Sequence, residues 1–482
     1  MKLKRLGMLA LLTTGALLVH GYHPYAEDAE IYVPGIVKIL HPNFYPFGQE
    51  FFESHAHMTL FPNLVAWTAR LTHLPLEWAL FAWHVASIFL LLFACLRIAE
   101  KCFETPQGRW GAVAMVAALL TLPVAGTALY ILDQYFNPRS VSAFAVMFAI
   151  DAAMEKKYWR AALWLIFTAV IHPLMAVFGI AFAVLLVMMQ THPAPKLSAA
   201  ILFPGLFFST PSAAYWQALR DHDYYFLLRW QWYEWLGLVA PIAILWWFCG
   251  IAKRRRHAQF ERLCRTTALF GVIFLIGSAI VTIPKRFEIL DLYQPMRFLL
   301  IIYIFLALFS GGLLGESVMK NRPLRWLALY APLCAGMCYA QFQLFPTDRH
   351  IEWPGAGPTN PWMQAFVWIR ENTPTNAIFA LDPEFTARPG EDNQGFRASA
   401  ERSRLADSEK DWSASAMFPN LPFADDVQAQ VHALKGWENF GTADFERLNR
   451  TYGVTWAVVE QPGGAELDCP YRNKAVSVCR VK

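Results

Sequence analysis

Residues 161–189 read AALWLIFTAVIHPLMAVFGIAFAVLLVMM, a stretch without a single Asp, Glu, Lys or Arg. A helix needs about 20 predominantly apolar residues to cross a bilayer, and this run exceeds that length with one interruption, His172-Pro173. Proline has no N–H to close the helical turn and its ring crowds the preceding carbonyls, so the run predicts one kinked helix or two short ones. Outward from it, apolar stretches lie at 6–20, 76–96, 110–131, 139–154, 197–213, 233–251, 266–283, 298–315 and 326–344. Together they predict ten crossings, or eleven if 161–189 splits.

The composition agrees. Of 482 residues, 56% are hydrophobic and 16% charged, against roughly 25% charged in an average soluble protein. The mean hydropathy is +0.30. Disordered, fibrous and collagen-like classes are excluded, because Gly 27 and Pro 30 are few and scattered. The net charge of +4 divides unevenly: residues 345–482 hold 14 Lys+Arg against 19 Asp+Glu, which leaves 27 against 18 of the totals 41 and 37 for residues 1–344. Two regions in different surroundings are expected, a transmembrane domain over 1–344 and a soluble α/β domain over 345–482.

Basic residues are retained on the cytoplasmic side and so orient the spans. The segments Met1–Arg5, Arg97–Arg109, Glu155–Arg160, Thr191–Lys196, Ala252–Arg265 and Glu316–Arg325 hold 19 Lys+Arg, and the alternate short loops hold 8. This places the N-terminus inside and, with an odd number of crossings, the C-terminal domain outside. Lys2, Lys4 and Arg5 before a short apolar run also describe a secretory signal peptide, but no clear Ala-x-Ala site follows, and the segment is read as an uncleaved anchor.

In the C-terminal region, Trp362, Phe366 and Ile369 recur at helical spacing over 361–371, Asn372-Thr373-Pro374 marks a turn, and Ala377–Leu381 reads as a strand. The grammar repeats with a helix over 443–452, a stop at Tyr452-Gly453 and a strand over Val454–Val459. The polar stretch 386–415 between them reads as loop-rich. Cys469 and Cys479 could form a disulfide in an oxidising compartment or stay as two thiols. The other six cysteines lie in or beside spans, where packing is their usual role.

The candidate chemistry gathers in the loops assigned outside. The first opens His20-Gly21-Tyr22-His23-Pro24-Tyr25-Ala26-Glu27-Asp28-Ala29-Glu30. Glu27 and Asp28, a few residues beyond the first span, are placed to take a proton from a hydroxyl held at the lipid interface, with His23 a candidate for substrate binding. A solvated acidic loop fits the same residues. His23, His41, His55 and His57, with Glu50 and Glu53, could assemble a divalent-cation site, although His55-x-His57 is a weak signal. The second loop carries Asp133 and Arg139, either a helix-end ion pair or an acid with a substrate-binding base. The third, Tyr215–Glu234, holds seven Trp and Tyr among Arg220, Asp221, His222, Asp223 and Arg229, and reads as an interfacial amphipathic helix. In the fourth, Lys285, Arg286 and Arg297 stand on the side the charge bias disfavours. They invite an anion, and a lipid phosphate is the one available at that depth; salt bridges to Glu288 and Asp291 compete with that reading. Asp151 and His172 are the few ionisable groups placed deeper. No Gly-rich phosphate loop, dinucleotide fingerprint, nucleophile elbow or nucleic-acid motif occurs, and no nucleic-acid partner is expected.

An N-terminal anchor followed by an outer loop with Glu27-Asp28, a second acidic outer loop at Asp133, broken spans around His172-Pro173 and a C-terminal outer domain resembles the GT-C superfamily of integral-membrane glycosyltransferases. Trp368-Ile369-Arg370-Glu371-Asn372-Thr373-Pro374 with Ala377-Ile378-Phe379, Phe396-Arg397, Glu401-Arg402-Ser403 and Tyr452-Gly453-Val454 is similar to a bacterial branch of such multispan proteins without an assigned activity. The resemblance implies an α-helical polytopic membrane protein of about eleven transmembrane helices in the bacterial inner membrane, with a periplasmic α/β domain. It implies an inverting transfer of a sugar from a polyprenyl-phosphate donor to an acceptor at the periplasmic face. In it Asp28 or Glu27 would deprotonate the acceptor, Asp133 would assist, and Lys285, Arg286 or Arg297 would stabilise the departing lipid phosphate. Neither the sugar nor the acceptor follows from these residues. The competing classes are a transporter or lipid-handling protein with the same charges along a pathway, and a non-catalytic envelope assembly factor.

Overall fold

The computed structural model describes residues 2–191, 211–388, 392–462 and 467–481, and the chain forms two compact units. The first takes 2–21, 82–191 and 222–340 of these residues; the second takes 22–81, 211–221 and the described residues from 341 onward. The division is therefore not a cut at 344/345: residues 22–81 fold with the C-terminal region.

The first unit is helical. Among the described residues six helices are long and apolar enough to cross a bilayer, Leu3–His20, Leu76–Cys102, Pro173–Thr191, Trp232–Arg254, Ala258–Thr282 and Pro295–Met319, as a multi-pass membrane protein requires. The expected eleven crossings are not confirmed. The stretch 110–131 is no span, because the helix Pro106–Ala118 stops and Val124 N–H bonds back to Leu129 O at 2.8 Å in a tight turn after Pro123. The stretch 139–154 forms the 17-residue helix Pro138–Met154, buried along almost its whole length. Pro323–Leu344 is helical yet falls short of the six in apolar character. The expected span 197–213 lies outside the described residues up to 210, as do 192–196 of one basic segment.

The run at 161–189 does split, into Tyr158–Ile171 and Pro173–Thr191. His172 takes an extended backbone at φ −150°, ψ 86°, as the residue before a proline must, while its N–H still bonds Thr168 O at 2.7 Å. Elsewhere close packing depends on missing side chains: a Cβ on Gly311 would collide with the carbonyl oxygen of Gly111, and one on Gly315 with that of Gln107. These glycines let Pro106–Ala118 and Leu299–Leu314 cross in near backbone contact.

Three of the basic segments meet at one end of this unit. Glu316 accepts from Arg255 at 3.1 Å and from the N–H groups of Glu104 and Thr105 at 3.0 and 3.2 Å, and His257 lies 3.3 Å from Glu104. Asp151, expected deep in the bundle, closes its helix in ion pairs with Arg97 at 2.6 Å and Lys101 at 2.5 Å.

The second unit is built on a five-stranded sheet, β1 (Ile378–Ala380), β2 (Ser403–Arg404), β3 (Trp456–Glu460), β4 (Asp468–Arg472) and β5 (Val476–Arg480), in the order β2-β1-β3-β5-β4. β1 pairs parallel with β2 and β3, and β5 antiparallel with β3 and β4. The expected helices are Pro361–Asn372, capped by the Asn360 side chain on Trp362 N–H, and Thr442–Tyr452, ended by Gly453 at φ 73°. Leu405, Leu434, Phe445, Leu448, Val454 and Ala457 form the core between sheet and helices. Cys469 and Cys479 are bridged, joining β4 to β5.

Residues 22–81 supply three helices to this unit, Ala29–Leu40, Glu50–Met58 and Phe61–Thr72, where a long loop was expected. Gly35 lets Ala29–Leu40 press against Ala56. Between the irregular segments of the polar stretch 386–415 lie the helix Phe396–Ala400, β2 and the helix Lys410–Ser415, and most of its described residues are buried.

Candidate functional site

In the first unit the polar groups collect at the end of Pro138–Met154 opposite Asp151. Asn137 caps this helix, its Oδ1 accepting from Ser140 N–H at 3.0 Å, and its Nδ2 donates to Asp133 Oδ2 at 2.6 Å. Arg139 donates to the same oxygen through Nε at 3.1 Å and Nη2 at 3.0 Å. Asp133 and Arg139 are both buried, so the helix-end pair exists, and it lies within the protein instead of on its surface.

The second cation of this site comes from far along the chain. Arg139 and Arg297 both lie close enough to the His172 ring to act on it electrostatically. Arg297 also acts on the buried Tyr225, whose hydroxyl accepts from Gln294 Nε2 at 2.8 Å. Gln294 sits at φ 46°, a left-handed kink that ends the turn Lys285–Tyr293 and starts the one carrying Arg297. Thus two of the sequence candidates, Arg139 and Arg297, both act on His172 at the helix break, and a third, Asp133, is bound to Arg139. Lys285 and Arg286 are exposed, with Arg286 lying 4.5 Å over the Phe287 ring.

Among the described residues the expected salt bridge to Asp291 is not formed: its carboxyl is buried and neither oxygen has a hydrogen-bond partner there. Burial, with Glu288 nearby, pushes it up to about 8.

The aromatic segment 215–234 is broken where one amphipathic helix was expected. Its second-unit part is the short helix Ala213–Arg220. In the first unit Asp223–Tyr225 and Leu227–Arg229 are tight single turns, and Arg229 pairs with Asp223 at 2.9 Å. The first unit also holds an apolar cavity of about 670 Å³, bordered by Leu11, Ala16, Trp110, Trp326 and Tyr330, with Lys320 on its wall.

The acid pair belongs to the second unit. Glu27 takes a left-handed backbone at φ 56°. Its Oε1 accepts from Asn393 Nδ2 at 3.0 Å and its Oε2 from Lys410 Nζ at 2.5 Å, while Asp28 lies 3.5 Å from the same ammonium. Burial alone would lower the Lys410 ammonium, but Glu27, Asp28 and Glu409 outweigh it and hold it above its ordinary value. Both acids keep part of their surface exposed.

His23 is enclosed. Its ring stacks on Phe345 at 3.7 Å and its Nδ1 pairs with Glu352 Oε1 at 2.8 Å; burial pushes the imidazole down to about 3, which keeps it neutral. His55 packs edge-on against Phe418. Among the described residues no group of three or more His, Cys, Asp or Glu side chains is arranged to hold a metal ion, so the histidine-rich segment builds no cation site of that kind.

Two features of the second unit had no counterpart in the sequence reading. The first is a buried charge network: Arg397 pairs with Asp411 at 2.8 and 2.9 Å and approaches Glu30 at 3.4 Å, and Glu30 also accepts from the N–H groups of Arg397 and Ala398 at 3.0 Å. Burial pushes Glu30 up to about 7 against the pull of Arg397. The second is a cavity of about 310 Å³ walled in part by Tyr22, Tyr25, Glu77, Asp348, Glu352 and Arg370. Glu30, set between Ala29 and Ile31 in an apolar helix, was the one available signal of the first. The sequence matches no protein-family model and no curated protein.

Proposed function

We propose that the chain is an inner-membrane glycosyltransferase that takes a sugar from a polyprenyl-phosphate donor and transfers it, with inversion, to an acceptor at the periplasmic face. The observation that carries this reading is the convergence of Arg139 and Arg297 on His172 at a helix break. Two guanidiniums near one imidazole repel one another, and an anionic group beside them offsets that repulsion. Guanidinium binds phosphate oxygens in a planar, bidentate fashion. As the anomeric carbon–oxygen bond breaks, charge develops on the lipid phosphate, and fixed cations in a water-poor site stabilise it without reorganising.

Asp133 fits the role of aligning Arg139, since one oxygen receives both guanidinium donors. The apolar cavity of about 670 Å³ in the same unit is consistent with lipid contact. Asp28, the expected base, belongs to the second unit, where it lies 3.5 Å from the Lys410 ammonium.

The test uses full-length protein in nanodiscs and a panel of radiolabelled polyprenyl-phosphate-linked hexoses and pentoses. Release of free polyprenyl phosphate reads bond cleavage whatever the acceptor. Cleavage of one donor is expected, lost with Arg297→Ala and partly retained with Arg297→Lys. Cleavage that survives Arg297→Ala unchanged rejects the phosphate role, and donor movement between leaflets without cleavage favours a lipid-handling protein.

A further inference from the structure

The second-unit cavity lies among residues for which the transfer reading has no use. Arg370 on its wall is engaged by Glu77 at 3.4 Å and Glu401 at 4.0 Å, so that cation is already balanced. Asp348 and Glu352, on the same wall, are held by neutral donors: Gln394 Nε2 bonds Asp348 at 2.8 Å and Glu352 at 3.1 Å, and His23 bonds Glu352 at 2.8 Å. Asp392, close behind, is turned to Thr347 and to the N–H of Asp348 at 2.7 Å. Arg349 and Glu371 also border the cavity, both exposed, and among the described residues neither Asp348 nor Glu352 has an ion pair with a lysine or arginine.

Asp348 and Glu352 thus line the cavity with no lysine or arginine paired to either among the described residues. Burial pushes Asp348 up to about 9 and Glu352 up to about 8, with each further raised by neighbouring carboxylates, so both hold protons at neutral pH. A cation entering between them would replace those protons. An independent observation points to a ligand: Ser399, fully buried and on the cavity wall, has a hydroxyl without a hydrogen-bond partner among the described residues. Buried hydroxyls are otherwise satisfied as a rule. Opposite in character is the aromatic side of the cavity, where Tyr22 meets Phe81 at 5.2 Å and Phe81 meets the half-exposed Trp353 at 5.4 Å. Aromatic faces attract cations.

We infer that this cavity binds a small hydroxylated primary amine, its ammonium between Asp348 and Glu352 and a hydroxyl on Ser399. A primary ammonium supplies three N–H donors to the carboxylate oxygens, and a neutral polyol supplies no charge. The volume of about 310 Å³ is at the lower end of the roughly 300–1,000 Å³ usual for small-molecule sites. The site stands without the glycosyl-transfer reading, because no residue of it takes part in that proposal.

The experiment is calorimetric titration of the full chain in detergent at pH 7 with serinol and ethanolamine, and with glycerol and ethylene glycol as matched polyols lacking the amine. The buffers contain no amine and differ in ionisation enthalpy. Saturable binding of serinol with net proton release is expected, together with at least tenfold weaker binding of glycerol. Glu352→Gln, which can keep its contacts with His23 and Gln394, should weaken serinol at least tenfold, and Ser399→Ala should weaken serinol severalfold. Equal binding of serinol and glycerol, binding unchanged in a folded Glu352→Gln protein, or no serinol binding to the unaltered chain would each overturn the assignment.

Discussion

Arg397 and Glu30, 367 positions apart, meet in the interior of the second unit with side chains that are each 1% exposed. Glu30 bonds the backbone N–H of Arg397 as well as approaching its guanidinium, so the contact fixes chain path and charge together. It ties the helix Ala29–Leu40 to Phe396–Ala400, and so helps residues 22–81 fold with the C-terminal region.

Removing the cation from this network should be severe. Arg397→Met leaves Asp411 and Glu30 buried without their counterion, and breaking a buried pair costs about 3–5 kcal/mol. Glu30→Gln keeps an acceptor for the two N–H groups and removes a carboxyl already pushed up to about 7, so a cost of about 1 kcal/mol is expected. Thermal unfolding in detergent, followed by intrinsic fluorescence, ranks the two. Equal losses would mean that Arg397 acts only through its packing.

Much of the architecture could be read from local signals. The split at His172-Pro173, the stop at Gly453 and the helix and strand around Asn372-Thr373-Pro374 each rest on backbone chemistry that acts over a few residues. The stretch 110–131 was misread, and the burial of 386–415 was not foreseen, because hydropathy stands in for burial. The first is apolar but turns after Pro123, and the second is polar but buries Arg397, Arg404, Asp407 and Asp411 in mutual pairing. Arg139 and Arg297 were visible as separate candidates. Their common focus on His172 arises from packing of distant helices, which no spacing in the sequence encodes.

Stability should depend on pH through the cavity carboxyls. Folded Asp348 and Glu352 titrate near 9 and 8, against about 3.9 and 4.3 for unfolded chains. Between about pH 4 and 9 the folded state therefore binds more protons, and stability falls as pH rises. His23 acts oppositely: its folded value of about 3 lies below the unfolded value of about 6.5, so its contribution is lost as pH falls through that interval. The melting temperature should decline from pH 6.5 to 9, and Asp348→Asn with Glu352→Gln should flatten that decline. An unchanged slope in the double variant would assign the effect elsewhere.

The bridge between Cys469 and Cys479 closes a short loop of sequence separation 10. Loop-closure entropy for that length corresponds to about 2–3 kcal/mol. Reduction, or Cys469→Ser with Cys479→Ser, should lower the melting temperature of the oxidised protein by several degrees. Mass spectrometry showing two free thiols in protein prepared without reductant would contradict the bridge itself.

Gly311 tests the helix crossing of the first unit. A side chain there meets the backbone oxygen of Gly111, which a rotamer change cannot clear. Gly311→Val should reduce the yield of monodisperse protein sharply, whereas Gly336→Ala, where a Cβ meets nothing within 4 Å, should leave it unchanged. Comparable yields for both would place the close approach of these helices in error.

Asp133 and Arg139 offer a way to separate support from chemistry. Asp133→Leu removes the buried carboxylate that accepts from the Arg139 guanidinium, and Arg139→Met removes that guanidinium from a buried carboxylate that still accepts from Asn137 Nδ2 at 2.6 Å. Each single change should cost about 3–5 kcal/mol, whereas the double replacement removes both charges and should recover most of it. If the pair aligns a phosphate-binding cation, the recovered double variant remains unable to release polyprenyl phosphate. Restored release would reduce Asp133 and Arg139 to a structural clamp and leave Arg297 alone to carry the anion.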